Sequence, residues 1–389
     1  MQLSLDKNYA SITVSEANRE DSRVPYSSVS RRSLLKGVGG GVASLTLVSA
    51  LGLPAAAQSK TSDASRMAVT DSGPFRPDGL LDVERRLYEM PTTSLLVYSG
   101  DKPVYEYGNG RDVSYLASAR KSVLSMLYGK YVADGTIDLD ATLADLDIQD
   151  NETLSDAERQ ATVRDLLSSS SGVYHPAGSP GGNDNNPPRG SKPHGTYFQY
   201  NNWDFNVLGA IFEKRTGQKI FEALKRDLAD PLGFQDYDLG RQKMLGYGDR
   251  SRFLAYHMFL SARDMGKLGQ LMLRKGEWNG RQLVPAEWVA ESTKPRFTPE
   301  ETRDSAGYAY LWWIPDRKGA AWEGSFYANG NLGQYILCLP AIDTVVVHRR
   351  AVTDQYAMAR NLGETTFLPA GVKATAFLDI ADAIVASYG

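Results

Sequence analysis

A single cysteine, Cys338, is present among 389 residues, so no disulfide can form within the chain. Histidine is almost as scarce. His175, His194, His257 and His348 are the only four, none has a second histidine four positions on, and no Cys-x-x-Cys stands near them. A metal site therefore has no ligand set to build on, and none is expected. Neither sign of charge dominates: the net value of −3 leaves no broad basic surface and argues against nucleic acid as a partner. Long apolar runs are missing too, apart from one uncharged stretch from Gly37 to Ser59. What is present is ordinary for a soluble globular protein, with 42% apolar and 23% charged residues. The length exceeds a single core and suggests two or so structural units. Twenty-one tyrosines and 12 phenylalanines point to a well-filled core and a cleft with aromatic walls.

The uncharged stretch sits in a particular setting. Arg31-Arg32 and Ser-Leu-Leu-Lys precede it, and Ala55-Ala56-Ala57 follows as a small-residue cleavage site. That is the layout of an export signal, and it resembles the twin-arginine type. An uncleaved anchor is the alternative, since the stretch is long enough to span a bilayer. The expected division is a signal over residues 1–57, a polar linker over 58–77 and a folded domain over 78–389, giving a periplasmic or extracellular protein. No later segment could span a bilayer, so no membrane span is expected in the mature chain.

Along that domain, TSLLVYSGDKPVYEYG alternates around Ser-Gly-Asp and predicts a β-hairpin from about Ser94 to Tyr107. After Ser118, apolar residues recur at helical spacing until Gly135. Ser155 with Glu158 and Thr162 with Asp165 are capping boxes, and Ser261 with Asp264 is a further cap. Residues 174–199 have no period and much Pro, Gly and Asn, which predicts a long loop. WDFNVLGAIFEKRTG predicts a helix closed by Gly217. YAYLWWIP, GQYILCLP and TVVVHRR read as strands, and FLDIADAIVASYG as a helix to lie on a sheet. This order predicts an α+β fold. Both ends of the domain complete an antiparallel sheet flanked by helices, with a mostly helical insertion over about 136–260.

Ser118-Ala119-Arg120-Lys121 is the motif that carries chemistry. Ser-x-x-Lys also occurs at Ser4 and Ser33, but only Ser118 stands where a strand meets an amphipathic helix. There Lys121 reaches Ser118 from one turn on. Burial and the positive helix end favour a neutral amine, and the serine N–H is free to hold an oxyanion. The plainer alternative is a serine cap followed by a solvated lysine. Tyr-x-Asn occurs three times, and only Tyr200-Asn201-Asn202 lies in a loop directly before a helix, where the phenol could face Ser118 and relay a proton. A core tyrosine is the alternative there. Downstream, Ala328-Asn329-Gly330-Asn331 leads into a strand whose glycine lets a ligand approach the backbone, as an edge strand able to supply a second oxyanion N–H.

In this order and spacing these pieces resemble the serine β-lactamase and DD-peptidase superfamily, nearest to class C β-lactamases and their esterase relatives. LASARKSVLSML, TVRDLLSSSSGVYHP, YFQYNNWDFNVLGAIFEKRTG, FLSARDMGKLGQLMLRKGEWNGRQLVPAEWV and NGNLGQYILCLP carry the likeness, from about residue 90 to the end. It implies a β-lactamase/transpeptidase-like fold with Ser118 as acylated nucleophile, Lys121 as its base and Tyr200 as proton shuttle. Asn202 would be a partner of Lys121 and of the substrate, and the N–H groups of Ser118 and Asn331 would form the oxyanion hole, with no cofactor. The chain departs from the pattern where relatives carry Lys-Thr-Gly or His-x-Gly, because Ala328-Asn329-Gly330 has neither cation. Arg215-Thr216-Gly217 has similar letters but closes a helix. The departure puts β-lactam hydrolysis in doubt and turns the likeness toward carboxylesterases and 6-aminohexanoate-dimer hydrolases. In that branch a loop tyrosine assists the leaving group; Tyr174 is its counterpart here, with Asn329 and Gly330 beside the substrate. The expected activity is an exported serine hydrolase for small ester, amide or peptide-like substrates. The alternatives are a β-lactamase or DD-peptidase, and a cell-wall binding module without turnover.

Overall fold

In a computed structural model the hairpin forms as β1 (Ser94–Ser99) and β2 (Lys102–Gly108), turned through Gly100 at φ +55°. The structure describes residues 72–179, 185–352 and 370–389. The export segment and the linker as far as residue 71 lie outside the described residues. Five further strands join the hairpin: β3 (Ala306–Tyr308), β4 (Trp313–Pro315), β5 (Phe326–Gly330), β6 (Gln334–Leu339) and β7 (Thr344–Arg349). They make one antiparallel sheet in the order β2-β1-β7-β6-β5-β4-β3. The first and last parts of the domain thus meet at β1 and β7, where Val97 pairs with Val346.

The period of two in these strands divides the apolar residues between two layers. Leu95, Val97, Leu337 and Val346 face one side, against α1 (Pro77–Tyr88) and the C-terminal helix Ala374–Ala386. Leu96, Tyr98, Ile336 and Val345 face the other, against the helix Ala262–Leu273 and the long helix α2 (Arg120–Ala133). Helix Ala262–Leu273 lies close to the sheet because two glycines remove its side chains there. A Cβ on Gly269 would meet Val345 Cγ1 at 2.5 Å, and one on Gly266 would meet Tyr98 at 2.5 Å.

Two of the three expected caps hold as read, while Ser155 and Glu158 exchange bonds without capping a helix, since the 3₁₀ turn Glu158–Gln160 starts after Ala157. Thr162 and Asp165 form a reciprocal capping box for α3 (Val163–Leu167), and Ser261 caps Ala262–Leu273. Gly217, left-handed at φ +67°, ends α4 (Asn202–Thr216), which accounts for Arg215-Thr216-Gly217 as a helix terminus. Two further expectations need correction. YAYLWWIP is not one strand: the chain reverses at Leu311 (φ +64°), so Tyr308 ends β3 and Trp313 starts β4. And β5 is not the sheet edge, because β4 and β3 lie beyond it. However, β4 pairs with β5 only at Tyr327, so Ala328–Gly330 have no strand partner on that side among the described residues.

Candidate active site

Two short strands deliver the nucleophile. Ser114–Tyr115 pairs with Phe259–Leu260, and the buried Arg349 guanidinium donates to the carbonyls of Leu260 and Tyr115 while its Nε donates to Gln334. The chain after Tyr115 is therefore tied to β6 and β7. It then enters a 3₁₀ turn, Ala117–Ala119, before α2 begins at Arg120. Ser118, the expected helix start, sits in that turn, two residues before the helix begins. It is not a cap: neither helical segment has a side-chain cap bond at its start. Ala117 immediately before it is left-handed (φ +50°), a conformation that L side chains rarely adopt and that costs about 1–3 kcal/mol.

The Ser118 hydroxyl is half-buried and faces the amine of Lys121, with 3.0 Å between Oγ and Nζ. The same amine lies 2.6 Å from the Tyr200 hydroxyl and 2.9 Å from Asn202 Oδ1. Three polar contacts suit a neutral amine, which has two N–H groups and one lone pair. Asn202 Oδ1 can only accept, so the lone pair is left for one of the two hydroxyls. Lys121 is 2% exposed, and among the described residues no carboxylate lies within ion-pair distance of it. Its Nζ is 4.2 Å from the ring centre of Phe205 and 4.4 Å from that of Tyr200. Burial, then the neighbouring Arg120 charge, push its pKa well below the usual lysine value. Tyr200 moves the other way. Burial raises it to about 12, against the pull of the Ser118 hydroxyl and the Arg120 charge. The site thus pairs a proton-accepting amine with a phenol that keeps its proton.

The approach to α4 explains how Tyr200 and Asn202 flank that amine. Asn201 between them is the N-cap, accepting from the Trp203 N–H. Its Nδ2 donates to the Val173 carbonyl at 2.6 Å and to Asp204 at 3.2 Å. Asp204, buried and pushed far up by that burial, also accepts from the Ser171 hydroxyl at 2.6 Å. The Ser171–Val173 segment is thereby fastened beneath Tyr200. Aromatic contacts with Phe205 (4.8 Å) and Trp313 (5.5 Å) fix the Tyr200 ring.

Strand β5 closes on the nucleophile turn through Gly330. A Cβ there would lie 2.3 Å from the Leu116 carbonyl oxygen and 3.1 Å from the Ala119 nitrogen. The glycine is therefore needed for the approach of another backbone, not only of a ligand. Asn331, the predicted second oxyanion donor, follows directly and is exposed. Ala328 is fully buried on the face shared with Phe326 and Ile336. Asn329 is half-buried. Tyr174 has Asp204 and Tyr197 as electrostatic neighbours; burial, then those neighbours, raise it to about 12, and its buried hydroxyl has no hydrogen-bond partner. The structure therefore joins Ser118, Lys121, Tyr200 and Asn202 in one cluster, with Gly330 against their turn. Sequence reading passed over Arg120 and Asp204, whose burial no local pattern signals. Among the described residues no group of three or more His, Cys, Asp or Glu could hold a metal, and no helix is long and apolar enough to cross a membrane.

Residues 80–348 match the family described as beta-lactamase. The chain is 25% identical over 300 residues to a 6-aminohexanoate-dimer hydrolase of Paenarthrobacter ureafaciens, covering 69% of this chain and 74% of that protein. Among solved structures, a family VIII carboxylesterase aligns with a TM-score of 0.56 at 12% identity, over 81% of this chain and 99% of that one. The penicillin binding protein from Bacillus halodurans aligns with a TM-score of 0.51 at 16% identity, over 71% and 97%. These two likenesses concern the fold alone.

Proposed function

Starting from the fact that this chain belongs to the beta-lactamase family and is one of its serine hydrolases, we propose that it cleaves an ester or amide bond through a covalent acyl-enzyme on Ser118. The observation that carries the proposal is the placement of one buried, depressed amine between two hydroxyls, 3.0 Å from Ser118 and 2.6 Å from Tyr200.

In the first step Lys121 Nζ takes the Ser118 proton as Oγ attacks the substrate carbonyl carbon, and the C=O electron pair moves to oxygen. The N–H groups of Ser118 and Asn331 hold that oxyanion. When the carbonyl re-forms, the bond to the leaving group breaks. Tyr200 passes it a proton and is reprotonated from Lys121. Water then attacks the ester on Ser118, with the same groups acting in reverse. Asn202 orients the amine through its Oδ1. The 6-aminohexanoate-dimer hydrolase relative supports a linear amide or a small ester as substrate. A β-lactam ranks second, because Phe326–Gly330 bears no cation for the carboxylate such molecules carry. Arg31-Arg32, the uncharged run and Ala55–Ala57 support export of the enzyme, which cell fractionation followed by N-terminal sequencing tests.

The decisive experiment is intact mass after exposure to a phosphonate ester and, separately, to penicillin, beside hydrolysis of a p-nitrophenyl ester. One phosphonyl group per chain and ester turnover, both lost in Ser118→Ala, are expected. Turnover that survives Ser118→Ala would refute the reading, and rapid cleavage of a chromogenic cephalosporin would reverse the order of substrates.

A further inference from the structure

Between the proposed nucleophile and its base lies a charged side chain that the mechanism does not use. Arg120 is 3% exposed, and its Nη1 donates to the Ala117 carbonyl at 3.1 Å. Its Nε is buried with no partner, and among the described residues no carboxylate lies within ion-pair distance of it. The guanidinium carbon lies 5.2 Å from the centre of the Tyr256 ring, so an aromatic face as well as the carbonyl stabilises it. A buried cation normally has a counter-ion, and removing it from water without one is costly. This one is retained beside a buried amine that also has none.

The bond it makes falls on a sensitive atom. Ala117 is the left-handed residue directly before Ser118, and its carbonyl orientation is set by the φ/ψ that aim Ser118. The surroundings are otherwise nearly uncharged. Tyr115, Tyr200, Tyr256 and His257 stand around Arg120 and Lys121. Burial, then the charge of Arg120, push His257 well below the usual histidine value, and its two ring nitrogens have no partner. Burial holds Tyr256 and Tyr308 protonated. Asp304 acts on Tyr200 from farther out and raises it. Arg120 is therefore the fixed charge that Lys121 and Tyr200 both feel, in a family member whose β5 strand supplies none.

We propose that Arg120 is a positioning residue of this site: its guanidinium clamps the Ala117 carbonyl to aim Ser118, and its unpaired charge keeps Lys121 in the proton-accepting form. This rests on the acyl-enzyme reading and adds to it the origin of the base. Burial is the larger cause of the depressed lysine, and the arginine adds to it, so loss of Arg120 shifts the amine upward without restoring an ordinary lysine.

The test is the pH profile of kcat/KM for a p-nitrophenyl ester in the parent and in Arg120→Met, Arg120→Gln and Arg120→Lys, with folding checked by circular dichroism. Lys121 must be neutral to act, so activity falls as pH drops through its pKa. In the two neutral variants that acid limb moves up by about one pH unit, a roughly tenfold loss on the limb that higher pH recovers. Arg120→Lys keeps the limb in place while losing rate at the plateau, because the fork to Ala117 is gone. A merely structural role would lower the plateau and leave the limb where it was, and that result in a folded neutral variant overturns the proposal. Should neither neutral variant fold, an acid limb displaced in Arg120→Lys overturns it equally. A parent that takes no phosphonate would instead refute the acyl-enzyme reading, so the two failures are distinguishable.

Discussion

Gly330→Ala adds one methyl group where two backbones meet. The new Cβ would stand 2.3 Å from the Leu116 carbonyl oxygen, 2.8 Å from Gln334 Cβ and 3.1 Å from the Ala119 nitrogen. Carbon and oxygen repel below about 3.3 Å, so the strand and the nucleophile turn must part by about 1 Å. Neither neighbour can yield cheaply. Leu116 donates its own N–H to the Met258 carbonyl at 2.9 Å, and buried Gln334 accepts from Arg349 and donates to the Arg350 carbonyl. Overpacking of this kind destabilises by about 1–3 kcal/mol. The larger effect falls on rate, because the N–H of Asn331 would retreat from the oxyanion proposed to lie between it and the Ser118 N–H. A misplacement of about 1 Å costs about 10²-fold. Ester hydrolysis and thermal melting, measured on one preparation, should show kcat reduced about 100-fold with the melting temperature lowered by roughly 3–8 °C. A variant within threefold of the parent rate would refute the claim that contact between β5 and the Ser118 turn builds the site.

Lys121→Met removes the amine but keeps a long apolar chain; kcat/KM should fall about 10²–10⁴-fold. The thermal midpoint should hold or rise, since a buried amine is replaced by a thioether, and more than a tenth of the parent rate would remove Lys121 from the mechanism. Arg189 in the long loop grips Glu158 through Nε at 2.7 Å and Nη2 at 2.6 Å. Burial alone would raise the Glu158 pKa, but the Arg189 bonds, the Ser155 N–H and His175 outweigh it and hold it at about 2. The folded value lies below the unfolded one, so this stability is complete above pH 4.5 and is lost as pH falls from there through about 2. Arg189→Ala should therefore cost about 1–3 kcal/mol at neutral pH, less than a fully buried pair because the arginine is partly exposed. Urea melts over a pH series should show the gap to the parent closing across that window, and a gap independent of pH would refute the assignment.

The pieces of this site that could be read from the sequence share one property: their spacing is local. Ser118 and Lys121 are three residues apart, Tyr200 and Asn202 two, and each pair is locked to one turn of backbone. The caps at Thr162 and Ser261 are local for the same reason. What escaped is set by distant contacts. Arg120 reads as a surface charge until Tyr256 covers it. Gly330 reads as room for a ligand until the Leu116 carbonyl fills that room. The run YAYLWWIP is apolar on both faces, so no period marks the reversal at Leu311. Helix α1 carries Pro77 in its first turn and buries Leu80, Val83 and Leu87, a signal present in the letters and passed over beside the linker.

The pairing of β1 with β7 also fixes a schedule for making the protein. Strand SLLVYS leaves the ribosome early, but its neighbour TVVVHR follows roughly 250 residues later, about 12–50 s of synthesis at ordinary rates. Throughout that interval one hydrogen-bonding edge of an apolar strand is unsatisfied, and nothing nearer in the chain replaces the missing partner. A nascent chain of this topology is therefore exposed to aggregation until its last strand emerges, and a stop codon just before Thr344 would leave every proposed site residue in place but the sheet split between β1 and β6.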